Sequence, residues 1–399
     1  MANPISAAPP RDETVAPDPR SVLLVTLNIE GIAAARMPRE LQRAGLEVSL
    51  LAPRNAVAMQ SRFPARKGFF PDRPNVYDWI QHVATSVRAV RPAWILPGDD
   101  VSLRLLMQLV VSPPANLVPA VQQELAALIR RSLGDPAHYL DSVDKALLMP
   151  IARRLGVDVP DGEAVADEDD AVRVAADLGY PVIVRPAYGN AGRGVARCAN
   201  ETDVREAMRA IRPPMGWAPS SGHPALVQRF ITGQNHNRPA LAWEGREVAG
   251  FTRMSVRHYP EPSGPGSVSR YRRAPAIAEA NRRLLAALGI TGFTGTQFLV
   301  EEGTGRPFLI EINRRMTPAT HSGSLVGVDL AAAFAACAQG LPWTGATDLA
   351  EDEGPTIALF PQEWMRDPTS PLLNSLPNDV PWDDPAVVRA FLDPPGLRG

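Results

Sequence analysis

At 399 residues, with 45% hydrophobic and 21% charged side chains, the chain is long enough for two or three domains around a sizeable core, which excludes a peptide hormone, a disulfide mini-domain or a low-complexity tract. Its formal charge is −2 with no dominant acidic or basic block, so neither nucleic acid nor a membrane surface is an expected partner. Cys198 and Cys337 are too few for a disulfide framework and are not spaced as a zinc site, and no apolar stretch of about 18 residues occurs, so a cytoplasmic protein is expected.

Residues 1–20 are Pro-rich and expected to be disordered. VLLVTLN (residues 22–28) then predicts a buried strand, followed by a helix to Ala44 and a second strand, LEVSLLA, a βαβ opening. Asn75 is a candidate N-cap for the helix VYDWIQHVATSVRAV, and AWILPGDD reads as a strand ending in a loop. Residues 21–120 therefore read as a doubly wound α/β unit, and without a GxGxxG turn it carries no dinucleotide signature.

From Asp141 the pattern changes. SVDKALLMPIARRLG predicts one helix bent at Pro150, and DEDDAVRVAADLG a capped helix. The strands PVIVRPA and GVARCA flank the loop YGNAGRG, and a helix follows over residues 202–211. Two Pro/Gly/Ser-rich stretches, RPPMGWAPSSGHP and HYPEPSGPGS, read as lids on antiparallel β segments. The helix IAEANRRLLAALG precedes a hairpin, GFTGTQFLVEEGTGRPFLIEINRR, whose EGTG turn joins two alternating strands. Residues 346–399 read as a Pro-rich appendage.

The hairpin carries the most chemistry. If residues 294–300 pair with 307–313, alternation puts Glu311 and Asn313 on one face with Gln297 beside them. Three oxygen donors on an apolar strand suit Mg²⁺; the residues alone leave a solvated edge strand open. In the loop, Gly189, Gly192 and Gly194 let backbone N–H groups close over an anion, or simply make a hairpin turn. Arg185 projects from the end of the preceding strand. Of the 41 basic residues only Lys67 and Lys145 are lysines, so Lys145 at a helix start stands out, although a surface lysine explains it too.

In chain order, Asp144-Lys145, PVIVRPAYGNAGRGV, LVQRFITG and the series Gln297, Glu311, Asn313, Arg315 resemble the ATP-grasp superfamily of ATP-dependent carboxylate–amine ligases over about residues 141–340. The hairpin reads as in the carbamoyl-phosphate synthetase and biotin carboxylase branch. The resemblance implies an α/β (α+β) fold: a doubly wound pre-ATP-grasp domain (21–120), an ATP-grasp domain (121–345) with lobes at 141–215 and 216–345, and the appendage. It implies that Lys145 and Arg185 contact the nucleotide phosphates beneath a cover formed by Gly189, Gly192, Arg193 and Gly194. Backbone groups of Phe230 and Ile231 would meet the adenine edge, with Gln228 and Arg229 alongside. Gln234 and Asn235 stand where a ribose-binding acid is usual. Gln297, Glu311 and Asn313 match the metal ligands, and Arg185 and Arg315 the cations that steady the transferred phosphoryl.

Two departures are Arg185 in place of lysine and Gln297 in place of an acid. The implied cofactors are ATP and Mg²⁺, or Mn²⁺, and the implied substrates a small carboxylate and an amine, with a homodimer as the candidate assembly. The competing expectations are a phosphotransferase acting on a hydroxyl and a catalytically silent ATP-binding protein. His321 after the hairpin, and Arg257 with His258 at the second lid, are candidates for facing an anionic substrate or for ordinary loop contacts.

Overall fold

The computed structural model describes residue 5 and residues 16–71, 75–113, 117–189, 192–211, 220–261 and 264–393. Most of the expected disordered start, Asn190 and Ala191 of the glycine-rich loop, residues 212–219 of the first lid and Pro262 and Ser263 of the second lie outside the described residues.

Strands β1 (Ser21–Val25), β2 (Glu47–Pro53), β3 (Arg66–Phe70) and β4 (Trp94–Pro97) form a parallel sheet in the order β3-β2-β1-β4. The run VLLV in β1 is fully buried because both faces are covered. Val22 and Leu24 pack into the core that holds helix Ile32–Arg43, while Leu23 and Val25 pack with helices Val76–Val90, Asp100–Val111 and Pro119–Leu133. The helix after Asn75 starts on a complete capping box with Asp78. β3 has no alternating apolar pattern and was not expected; its pairing with β2 creates it.

The second unit is the antiparallel sheet β5 (Gly162–Val165), β6 (Val182–Pro186), β7 (Ala196–Cys198) and β8 (Ala225–Arg229), ordered β5-β8-β6-β7 and backed by helices Glu168–Leu178 and Glu201–Ala210. The third comprises β9 (Gly233–Trp243), β10 (Arg246–Gly250), β11 (Arg253–His258), β12 (Gly266–Arg272), β13 (Gly292–Glu301), β14 (Pro307–Asn313) and β15 (Glu353–Ala358). Its path is β14-β13-β9-β11-β12-β15, with β10 on β9, and every pairing is antiparallel.

Two expectations need correcting. The helix expected to run unbroken through Asp144 is two, Tyr139–Val143 and Lys145–Arg154. Asp144 adopts extended backbone and its buried carboxylate caps the second helix at Ala146, so the turn falls at Asp144 and Pro150 is carried inside the second helix. Nor is the C-terminal stretch a mere appendage. β15 is an edge strand of the largest sheet, and Phe360, Val387 and Phe391 join the core shared with helix Ile32–Arg43.

Candidate active site

The site lies where the three units meet, and each unit delivers its side chains by a local device. Asp144 caps the helix that begins at Lys145, and the Lys145 N–H donates to Ala187 O at 3.1 Å, docking the helix start on the end of β6. The same Asp144 carboxylate accepts from Ser221 N at 2.9 Å. Lys145 is therefore held with only 4% of its surface exposed; its Nζ donates to Gly189 O at 2.8 Å and lies 3.4 Å from Glu311 Oε2.

Arg185, on β6, is 7% exposed and places Nη2 3.6 Å from the same oxygen. Its Nε has no hydrogen-bond partner among the described residues. Two buried cations thus share one carboxylate. Burial pulls the Lys145 ammonium below its ordinary value in spite of Glu311, and burial lowers Arg185 as well. This surplus of positive charge, with an orphaned donor, is what an incoming anion would relieve.

The hairpin pairs as expected. Gln297 lies opposite Glu311 and Gly295 opposite Asn313, with a bulge just after Gln297. Gln297 Nε2 donates to Asn235 Oδ1 at 3.3 Å, and Asn313 Nδ2 to Glu311 Oε1 at 3.3 Å. Arg315 makes a bidentate pair with Asp100, 2.7 and 2.6 Å, and donates to Asn313 Oδ1 at 3.1 Å. Burial opposes its charge, but Asp100 outweighs that and holds Arg315 above the usual guanidinium value.

Asp100 comes from the first unit. Asp99 caps the helix Asp100–Val111 and also accepts from Thr26 Oγ1 at 2.7 Å and Leu27 N at 2.6 Å, which ties the helix start to the carboxyl end of β1. The ends of β1 and β4 flank the switch point of that sheet, the usual place for a ligand crevice. A cavity of about 150 Å³ opens there, lined by Asp100, Arg104, Tyr139, Lys145, Tyr188 and Glu311 among others. Burial pushes the Tyr139 phenol up to about 12, and burial with Asp144 raises Tyr188, so both present neutral hydroxyls.

The remaining expected residues divide. Gly192 and Gly194 take left-handed φ of 71° and 74°, and a Cβ on Gly194 would meet Pro186 at 2.9 Å, so this turn requires glycine there. Arg193 is exposed. Gln228 and Ile231 are buried, and the Arg197 guanidinium lies 4.4 Å from the half-buried Phe230 ring. The Arg229 guanidinium is engaged with Glu301 at 3.1 Å at the hairpin tip.

His321 is buried against Asp379 at 2.6 Å, a structural contact. Arg257 lies 3.9 Å from Glu363, and His258 bonds Gly264 O. Asp100, Arg104, Tyr139 and Tyr188 escaped sequence reading. The one available signal was the acidic pair Asp99-Asp100 directly after a strand of the doubly wound unit.

Residues 144–238 match the family model described as carbamoyl-phosphate synthase L chain, ATP binding domain. Similar solved structures include the biotin carboxylase–β-γ-ATP complex from Campylobacter jejuni, 17% identical over 84% of this chain and 74% of that one, TM-score 0.61. An L-amino acid ligase from Bacillus licheniformis is 15% identical over 80% and 74%, TM-score 0.55. N5-carboxyaminoimidazole synthase from Aspergillus clavatus, in complex with ADP and 5-aminoimidazole ribonucleotide, is 13% identical over 84% and 81%, TM-score 0.58. Three sheets in this arrangement, a match over the segment that carries Lys145 and Arg185, and the hairpin that meets them have one common explanation: the chain has the ATP-grasp fold.

Proposed function

We propose that the chain is an ATP- and Mg²⁺-dependent ligase that activates a small-molecule carboxylate as an acylphosphate and joins it to an amine. The observation that carries this reading is the buried pair Lys145 and Arg185 around the single carboxylate of Glu311, a charge imbalance suited to phosphate oxygens. Solved neighbours that include an amino acid ligase and a biotin carboxylase support the ligase class.

The donor set also suits the metal. Glu311, Asn313 and Gln297 offer hard oxygens but only one carboxylate, the composition expected where the remaining ligands are nucleotide phosphates and water. When bound there, Mg²⁺ or Mn²⁺ offsets negative charge on the phosphates. Lys145 and Arg185 grip the phosphates, Gly189, Gly192 and Gly194 cover them, and Arg315, oriented by Asp100, meets the charge that develops as the substrate carboxylate attacks in line. Displacement of phosphate by an amine then gives the amide.

A coupled assay of ADP and free phosphate release, run over pairs of amino acids and small carboxylic acids with Glu311→Ala as control, tests the reading. Release only when acid and amine are both supplied is the expected result. ADP without free phosphate on a hydroxyl acceptor would replace it with a phosphotransferase, and MgATP binding with no ADP under any pair would leave a silent binding protein.

Lys145 adds a pH signature. Only the charged ammonium grips phosphate, and burial has already lowered its affinity for protons, so MgADP affinity should begin to fall at a pH below 10.5, the ordinary lysine value. Calorimetry across an alkaline series reads this, and Lys145→Arg should remove the step. A wild-type affinity that stays flat would take Lys145 out of the phosphate contact.

A further inference from the structure

A further buried cation, Arg253, sits on the sheet that carries Glu311. The register runs straight across it: Glu311 opposite Gln297, Gln297 opposite Asn237, Asn237 opposite Arg253, and Arg253 opposite Tyr271. Directly opposed residues share a face, so Arg253 stands in the row that holds Gln297 and Glu311, two of the three expected metal ligands, three strands from Glu311, about 14 Å at ordinary strand spacing.

Arg253 is 5% exposed, and among the described residues no carboxylate lies within ion-pair distance of it. Its Nη1 donates to Ser269 Oγ at 2.5 Å and its Nε has no partner. The neighbouring groups offer no counter-ion. The Tyr271 phenol is pushed up to about 12 by burial and donates to Ser322 Oγ, while Asp379 is taken by Arg36 and His321. Gly266 faces the cluster: a Cβ there would lie 2.9 Å from Ser255 Oγ, 3.0 Å from Arg253 Nη1 and 3.1 Å from Ser269 Oγ. Ser255 and Ser269 are themselves buried. A guanidinium and two hydroxyls therefore converge beside a position without a side chain.

We propose that Arg253, with Ser255 and Ser269, is a subsite that recognises a second, non-reacting carboxylate of the acid substrate, on the same sheet face as Gln297 and Glu311. The inference rests on the ligase reading. An uncompensated buried charge costs stability, and a buried cation that serves only the fold ordinarily has its carboxylate. One kept without a partner fits a site that is completed by its ligand, and the guanidinium fork matches a carboxylate in two parallel hydrogen bonds. Arg257, four positions on, points outward and is spent near Glu363, so of the two arginines on β11 it is Arg253 that is available to a buried ligand.

The test uses the intact chain and acetate as the probe, read by thermal unfolding against chloride at matched ionic strength, for wild type, Arg253→Lys, Arg253→Met and Gly266→Ala. Acetate should raise the wild-type Tm by about 2 °C or more, act weakly on Arg253→Lys and not at all on Arg253→Met or Gly266→Ala. In chloride, Arg253→Met should be at least as stable as wild type, since it removes an unpaired charge and keeps the volume.

A wild-type Tm indifferent to acetate, or an equal rise in Arg253→Met, would overturn the proposal. So would a larger response to inorganic phosphate than to acetate, which would assign the cradle to phosphate. MgADP is the separate arm: all four proteins should gain stability from it, and its failure with wild type would sink the ligase reading while leaving the acetate result readable.

Discussion

Replacing Glu311 by glutamine is expected to reduce ATP-dependent turnover by roughly 100-fold or more and to lower the stability of the free protein at the same time. Both effects come from one carboxylate with two tasks. In the free chain Glu311 lies 3.4 Å from the Lys145 ammonium and 3.6 Å from the Arg185 guanidinium, all three largely buried. Removing its charge leaves two like charges facing each other in a low-dielectric pocket, a change worth about 3 kcal/mol after allowing for the partial exposure of Glu311.

With nucleotide present, Glu311 is also the only carboxylate among the three expected metal ligands, so glutamine strips the site of its formal negative charge. The two consequences separate in the double variant. Lys145→Met added to Glu311→Gln should recover most of the lost stability, because one of the repelling charges is gone, yet leave activity at the floor. Urea midpoints and single-turnover ADP release measure the two quantities independently. Near wild-type ADP release by Glu311→Gln would remove the hairpin from the chemistry.

The hairpin could be read from sequence because its information is local. Alternation along residues 307–313 puts Glu311 and Asn313 on one face, and the EGTG turn sets the partner strand so that Gln297 falls opposite Glu311. The buried run of β1 and the N-cap at Asn75 were legible for the same reason. What could not be read depends on distance along the chain. Asp100 and Arg315 are 215 residues apart, and nothing near either one in sequence announces the other. Arg253 was hidden by composition: in a chain where arginine supplies nearly every positive charge, the residue type carries little information, and attention fell on Arg257 beside the Pro/Gly-rich stretch. The break at Asp144 was missed because SVDKALLMPIARRLG keeps helical periodicity across it; only the buried cap and the docking onto Ala187 decide where the helix starts.

The C-terminal stretch was the other illegible region, and Asp379 explains why it matters. Its carboxylate is almost wholly buried; Oδ2 accepts from His321 Nε2 at 2.6 Å and from Arg36 Nη1 at 3.4 Å, and Oδ1 accepts from Phe360 N at 2.5 Å. One side chain thereby joins the first helix of the doubly wound unit, the turn Thr320–Val326 that follows Arg315, and the chain just beyond β15. Burial alone would raise its pKa, but Arg36, His321 and the Phe360 N–H together hold it below the ordinary 3.8.

Burial and Arg36 keep His321 below its own usual value, and with Nδ1 unpartnered among the described residues the imidazole is neutral and donates through Nε2. Asp379→Ala should therefore cost about 3–5 kcal/mol at neutral pH, because it strands the Arg36 charge and three donors in the interior. The sign of the pH dependence follows from the depressed carboxyl. Its contribution is complete above pH 3.8, the unfolded value, and is lost as pH falls through the lower folded value. Urea midpoints of wild type and variant should accordingly differ most near neutrality and converge in acid. A gap that stays constant down to the acid limit would mean that the cost lies in lost packing, and that the Asp379 charge does not clamp the C-terminal segment to the body.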